Sequence, residues 1–101
     1  MAGEAEYTED EKWLVVRGRR WRRTDPELPD RIVEDLKSHL GRARNAVKAA
    51  RKAEDSAALR RARDRVDLAK RGLGERGEKW WELPVDERLT RAEEALSELS
   101  R

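Results

Sequence analysis

The chain has 101 residues, no cysteine, 46% charged side chains and only 5% aromatic ones. These values indicate one small domain with a thin, largely aliphatic core, and they exclude disulfides and thiolate metal sites. No apolar stretch approaches the length of a membrane span, and the acidic segment 1–12 lacks the apolar region of a secretory signal. We therefore expect a cytoplasmic protein with no membrane association.

Charge is segregated along the chain, although the net charge is only +2. Residues 1–11 carry five acids and no bases, residues 12–76 carry 20 Lys/Arg against 10 Asp/Glu, and residues 77–101 carry 4 against 7. A basic middle segment attracts polyanions. A high genomic GC content combined with long exposed helices would also produce it, because 18 of the 24 bases are arginine. We expect an acidic, flexible N-terminus over 1–11 and a single small domain over 12–101.

The segment 12–23 is predicted to form a β-hairpin. Four consecutive apolar residues favour an extended strand, and a turn at Arg17 and Gly18 permits a tight reversal. This register places Leu14 opposite Trp21 on an apolar face that turns inward. The other face is rich in guanidinium groups, whose planar array of donors suits phosphate or carboxylate.

Heptad spacing predicts three helices, near residues 29–53, 56–73 and 84–99. The apolar stripes are Leu36, Leu40, Ala43, Val47 and Ala50; Leu59, Ala62, Val66, Ala69 and Leu73; and Val85, Leu89, Ala92, Leu96 and Leu99. The first two stripes predict an antiparallel helical hairpin, which needs extra cover because each alanine buries little area. The predicted fold class is mostly α (α+β): an N-terminal β-hairpin packed on an antiparallel helical hairpin, plus a C-terminal helix.

The four tryptophans occur as two pairs, Trp13 and Trp21 in the hairpin and Trp80 and Trp81 before the third helix. The most economical interpretation is one aromatic cluster that joins the hairpin to the helices. The alternative is an exposed platform on which bases or a ligand stack.

Motifs for chemistry are nearly absent. Residues 72–77 match G-x-G-x-x-G, but they follow a helical heptad rather than a strand, so we expect them to end the second helix. His39 is the only histidine, and it has no second imidazole or thiolate to complete a zinc site. Asp64 and Asp67 lie among arginines, where surface ion pairs explain them better than acid–base catalysis. We predict no catalytic, cofactor or metal site, and no enzyme activity.

The order of three motifs resembles that of a family of small, uncharacterised actinobacterial proteins. The motifs are the block Gly18-Arg-Arg-Trp-Arg-Arg-Thr-Asp-Pro26, an Ala/Arg-rich helical middle, and Leu73-Gly-Glu-Arg-Gly77 followed by Trp80-Trp81. The resemblance covers residues 12–82, and members of this family are often labelled "biopolymer transporter Tol". It implies a bacterial protein without known catalytic residues or a cofactor, and it carries over no site residue.

Two functions fit these observations, and both are non-catalytic. The first is binding of nucleic acid or another polyanion, through electrostatic contacts that are largely indifferent to base sequence. Its candidate residues are Arg17, Arg19, Arg20, Arg22 and Arg23 in the hairpin, supported by Arg42, Arg44, Lys48, Arg51 and Lys52. The second is a protein-interaction or self-assembly module, in which the Leu/Ala stripes pair with a helical protein or with another copy in a homo-oligomer.

Overall fold

The computed structural model describes residues 5–101, with side chains from residue 6 onward. Over this range a three-stranded antiparallel sheet precedes three α-helices. The strands are β1 (Ala5–Tyr7), β2 (Trp13–Val16) and β3 (Arg19–Arg22), in the order β1-β2-β3; the helices are α1 (Asp30–Lys52), α2 (Ser56–Gly72) and α3 (Val85–Leu99), with a short 3-10 helix at Trp80–Glu82 before α3. The predicted fold class, mostly helical with an N-terminal hairpin on the helices, is confirmed.

The β2–β3 hairpin has the predicted register. Leu14 pairs with Trp21 and Val16 with Arg19. Arg17 and Gly18 form the turn with φ values of 52° and 80°, which is the conformation of a type I′ turn, whose twist matches that of the flanking strands.

The third strand was not predicted, because residues 1–11 were expected to be flexible. Residues 5–7 instead form β1, which pairs with β2 so that Tyr7 lies opposite Leu14; residues 1–4 lie outside the described range. The loop that closes this pair is held locally, since the Thr8 hydroxyl donates to Asp10 Oδ1 at 2.6 Å and the Thr8 backbone N–H donates to Trp13 O at 2.9 Å. β1 thereby satisfies the edge of β2 that the hairpin leaves open.

Residues just outside α1 and α2 set the boundaries of these two helices. Asp55 caps α2, its carboxylate accepting the Ala58 backbone N–H at 3.0 Å. Glu54, with φ at 55°, ends α1 in the left-handed conformation. Gly74, with φ at 85°, ends α2, and the next amide, that of Glu75, bonds back to Lys70 O at 2.9 Å. The glycine-rich segment therefore terminates a helix, as predicted.

The core lies where all three helices meet. Its buried members are Leu28, Leu36, Leu40, Ala69, Leu73, Ala92, Ala95 and Leu99. Gly72 permits the close approach of α2 and α3, because a Cβ atom there would lie 2.8 Å from Ala95 Cβ. No helix among the described residues is long and apolar enough to cross a membrane.

The buried face of α3 is rotated from the predicted stripe. Val85, predicted to lie inward, is 48% exposed, whereas Arg88 is only 7% exposed. Arg88 takes the inward position because it donates to Asp25 Oδ1 at 2.9 Å, to Glu27 Oε1 at 2.8 Å and to Leu83 O at 3.1 Å. A buried arginine with these acceptors is compensated, and it sets the rotation of α3.

The aromatic cluster forms with three tryptophans rather than four. Trp81 meets Trp13 at 5.4 Å and Trp80 at 5.2 Å between ring centroids, both edge to face. Trp80 is buried, and its indole N–H donates to Arg23 O at 3.0 Å. Trp21 was predicted to turn inward with Leu14; this is wrong, because Trp21 is 44% exposed. The sheet docks through the face that carries Trp13, so the face that carries Trp21 stays open.

We expect Arg88→Met to destabilise the fold by about 3–5 kcal/mol, because it leaves the Asp25 carboxylate buried without its partner. The double variant Asp25→Asn/Arg88→Met should recover part of this loss, since it also removes the uncompensated charge. Urea unfolding followed by circular dichroism measures both, with the exposed Arg31→Met as control. A double variant less stable than Arg88→Met would contradict this account.

Trp80→Ala should lower the free energy of unfolding by about 3–5 kcal/mol, the usual cost of removing a buried aromatic side chain. Trp21→Ala should cost less than about 1 kcal/mol, as at other surface positions. The same unfolding measurement compares them directly. Equal losses for the two variants would show that Trp21 packs on the core.

Candidate functional site

An open groove separates the sheet from the α1–α2 hairpin. It encloses about 560 Å³. Its apolar lining consists of Tyr7, Leu14, Val16 and Trp21 from the sheet, with Leu28 before α1 and Val33 on α1. A cavity of this size holds a small ligand or part of a chain.

The groove is held open because the sheet attaches to the helices elsewhere. On the far face of the sheet, the Trp13 ring contacts Trp81, and the guanidinium of Arg22 donates to Gly77 O at 2.7 Å. Just after β3, the Thr24 hydroxyl donates to Glu75 Oε2 at 2.6 Å. These contacts fix the sheet to the loop between α2 and α3, so its Trp21 face looks across the groove without packing on α1.

Three cations line the helical side of the groove: Lys37 and Arg44 from α1 and Lys70 from α2. None of the three makes an ion pair among the described residues. Burial lowers the pKa of Lys70, and the positive charges of Arg76 and Arg44 lower it further, against an opposing effect of Glu75. Asp30 on α1 and Glu75 after α2 also line the groove. Its helical side therefore carries three cations and two carboxylates, with no ion pair between them among the described residues.

Two exposed aromatic rings face these cations from the sheet. Trp21 is 44% exposed and Tyr7 is 56% exposed. The guanidinium of Arg19 lies 4.7 Å from the Trp21 ring centroid, and that of Arg23 lies 4.5 Å from the Tyr7 ring centroid. The Lys70 ammonium reaches to 5.8 Å from the Trp21 ring. Each exposed ring therefore lies beside at least one cation.

The basic wall continues along α1 beyond the groove. Lys37, Arg44, Lys48 and Arg51 follow one another at spacings of 7, 4 and 3 residues, which places them on one side of the helix. All four are exposed. The result is a basic flank about four turns long from the N-terminal part of α1 toward the tip of the hairpin.

The structure divides the residues predicted for polyanion binding. Arg44, Lys48 and Arg51 share the basic flank, and Arg19 lies at the Trp21 ring on the groove side of the sheet. Arg22 and Arg23 also line the groove. Arg22 is fixed by its bond to Gly77 O, and Arg23 is fixed by its bond to Glu11 O at 3.2 Å.

The other predicted residues lie apart from the groove. Arg20 points to the opposite sheet face, 4.3 Å from the Trp13 ring centroid. Arg42 is about 160° around the α1 axis from Arg44, where it donates to Ser38 Oγ at 2.9 Å. Lys52 occupies the last turn of α1, and Arg17 forms the hairpin turn.

Sequence reasoning missed three groove residues, Tyr7, Lys37 and Lys70. The spacing of seven residues between Lys37 and Arg44 could have placed Lys37 on the same flank. No sequence spacing places Lys70 beside that flank, because Lys70 lies on α2 and comes near α1 only when the two helices pack together. Tyr7 was missed because it lies in residues 1–11, which were expected to be flexible.

Of the two acidic residues considered for catalysis, Asp67 is engaged in ion pairs, whereas Asp64 makes none among the described residues. Asp67 accepts from Arg71 at 2.7 Å and from Arg76 at 3.1 Å, as predicted. Burial raises the pKa of Asp67, but these two hydrogen bonds outweigh it, so the pKa is lowered. The pKa of His39 is lowered by burial and by the charges of Arg42 and Arg65. Within the described part of the chain, no group of three or more His, Cys, Asp or Glu is placed to hold a metal ion.

Comparison with protein-family models, with curated proteins and with solved structures found no match. The resemblance to the actinobacterial family therefore stays a prediction, and functional interpretation depends on the groove itself.

Arg44→Gln should raise the pKa of Lys70, because it removes one of the positive charges that lower it. Added salt should also raise it, by screening the same repulsion. An NMR titration of the Lys70 Cε and Hε signals measures the shift, and Arg31→Gln is the matched control. An unchanged pKa of Lys70 in Arg44→Gln would show that the charge of Arg44 does not act on Lys70.

Proposed function

We propose that this protein is a small non-catalytic module that binds nucleic acid through the groove and the adjoining basic flank of α1. The observation that carries the proposal is a set of three cations, Lys37, Arg44 and Lys70, opposite exposed aromatic rings. None of the three forms an ion pair within the described part of the chain. Phosphate groups neutralise such a surface and release its counterions, which makes the contact favourable without base-specific hydrogen bonds.

The geometry moves the proposed contacts away from the guanidinium-rich hairpin face. Arg22 and Arg23 bond to backbone carbonyls of the protein, so their replacement would loosen the sheet as well as remove charge. The groove cations support no other part of the fold through ion pairs. Their replacement is therefore expected to disturb the fold less than replacement of Arg22 or Arg23.

The triple variant Lys37→Gln/Arg44→Gln/Lys70→Gln should weaken nucleic-acid binding at least about tenfold. It should also reduce the slope of log K against log salt by about two to three, one for each lost phosphate contact. Fluorescence anisotropy with a labelled oligothymidylate and a labelled DNA duplex, between about 50 and 200 mM salt, measures both quantities.

The matched control is Arg31→Gln/Arg42→Gln/Arg61→Gln. It also removes three positive charges, but from exposed positions outside the groove lining. It should lose far less affinity than the groove variant. Two results would overturn the proposal: equal losses in the two triple variants, or no binding of either probe by the unmodified protein at low salt.

A second candidate function is self-association through the far half of the α1–α2 hairpin. There, the C-terminal part of α1 and the N-terminal part of α2 form a shallow surface that is lined mainly by alanine. Its alanines are Ala46, Ala49, Ala50, Ala53, Ala58 and Ala62. Small residues permit close helix packing, so a second copy or a helical partner could seat here.

Size measurement separates the two functions. A self-associating protein should run as a dimer or larger without nucleic acid, and Ala49→Glu should return it to a monomer by placing a charge in the interface. A protein that is monomeric at low and high salt, and that changes size only when nucleic acid is added, would rule out self-association and support nucleic-acid binding.

A further inference from the structure

We infer that the groove takes single-stranded rather than duplex nucleic acid, with bases stacked on Trp21 and Tyr7. The inference rests on the proposed function and specifies its ligand. It depends on the two exposed rings, which a purely electrostatic phosphate site would not need.

The two rings form one platform across the sheet. Tyr7 and Trp21 are both paired in register with Leu14, one on each side of it. They therefore lie on the same sheet face, about 10 Å apart across two strand spacings. Arg19 contacts the Trp21 ring and Arg23 contacts the Tyr7 ring. Because 56% of Tyr7 and 44% of Trp21 stay exposed beside these contacts, each ring still offers surface to a planar base.

A duplex cannot use this platform. Its bases are paired and stacked on one another, so their faces are unavailable to side chains unless a nucleotide is flipped out. In a single strand, successive bases can separate and stack on aromatic rings while the backbone follows a positive groove.

The cations opposite the rings are placed for the backbone of the same strand. Lys37 and Arg44 line the α1 wall, and Lys70 lies 5.8 Å from the Trp21 ring centroid. A base on Trp21 would thus leave its phosphate near Lys70 and Arg44. The basic flank through Lys48 and Arg51 then gives the strand a continuous path out of the groove.

The first test changes the ligand and keeps the protein intact. An oligothymidylate of about 16 nucleotides is compared with an abasic strand of the same length, which has the same phosphates and no bases, and with a duplex. The thymidylate should bind at least about tenfold more tightly than the abasic strand. It should also quench tryptophan fluorescence, whereas the abasic strand should not.

The second test changes the platform. Trp21→Leu should weaken thymidylate binding about tenfold and leave abasic binding unchanged, while Trp21→Phe keeps an aromatic face and most of the affinity. Tyr7→Leu and Tyr7→Phe form the same pair at the other ring. Circular dichroism spectra confirm that each variant is folded, as expected for residues on the open side of the sheet.

The outcomes distinguish failure of the stacking inference from failure of the proposed nucleic-acid binding. If the abasic strand, the thymidylate and the duplex bind alike, and Trp21→Leu binds as the unmodified protein does, the stacking inference is wrong. The nucleic-acid proposal would survive that result if the groove triple variant still loses binding. If the unmodified protein binds none of the three probes at low salt, both are wrong.

Discussion

The buried ion pair between Asp25 and Arg88 is the interaction on which the placement of the other elements depends. It joins the linker after β3 to α3 across 63 positions in sequence, with both side chains almost fully buried. The Asp25 backbone N–H also donates to Leu73 O at the end of α2. A buried pair adds little net stability over apolar packing, but either charge alone is costly. It therefore specifies one arrangement of linker, α2 and α3.

That arrangement determines which face of the sheet is left free. The linker is fixed at Asp25, and the Trp80 indole N–H donates to Arg23 O. The sheet therefore leaves the junction with its Trp13-bearing face toward the loop between α2 and α3. The opposite side must then face the α1–α2 hairpin at a distance. The groove is thus a product of the junction, and its aromatic and cationic walls come from different elements, which approach each other where Lys70 lies 5.8 Å from the Trp21 ring centroid.

Local patterns predicted the local structure well. The Arg17–Gly18 turn, the strand register and the three helices all follow from residues close in sequence. The failures concern orientation. Alternation shows that a strand has two faces, but not which one packs, so Trp21 was assigned inward and Trp13 proved to be the contact. Arg88 was missed because arginine is normally exposed, and its acceptor lies 63 residues away. The groove itself needs both helices and the sheet together.

The change from leucine to alanine along the α1–α2 interface has a consequence for motion. Near the groove the helices share Leu36, Leu40 and Leu73, whereas toward the tip they share mainly Ala50 and Ala62. Less apolar area is buried per turn at the tip, and Glu54 adds a strained left-handed residue there. The free energy of local opening should fall toward the tip. The tip of the hairpin is therefore expected to open more often than the end that lines the groove.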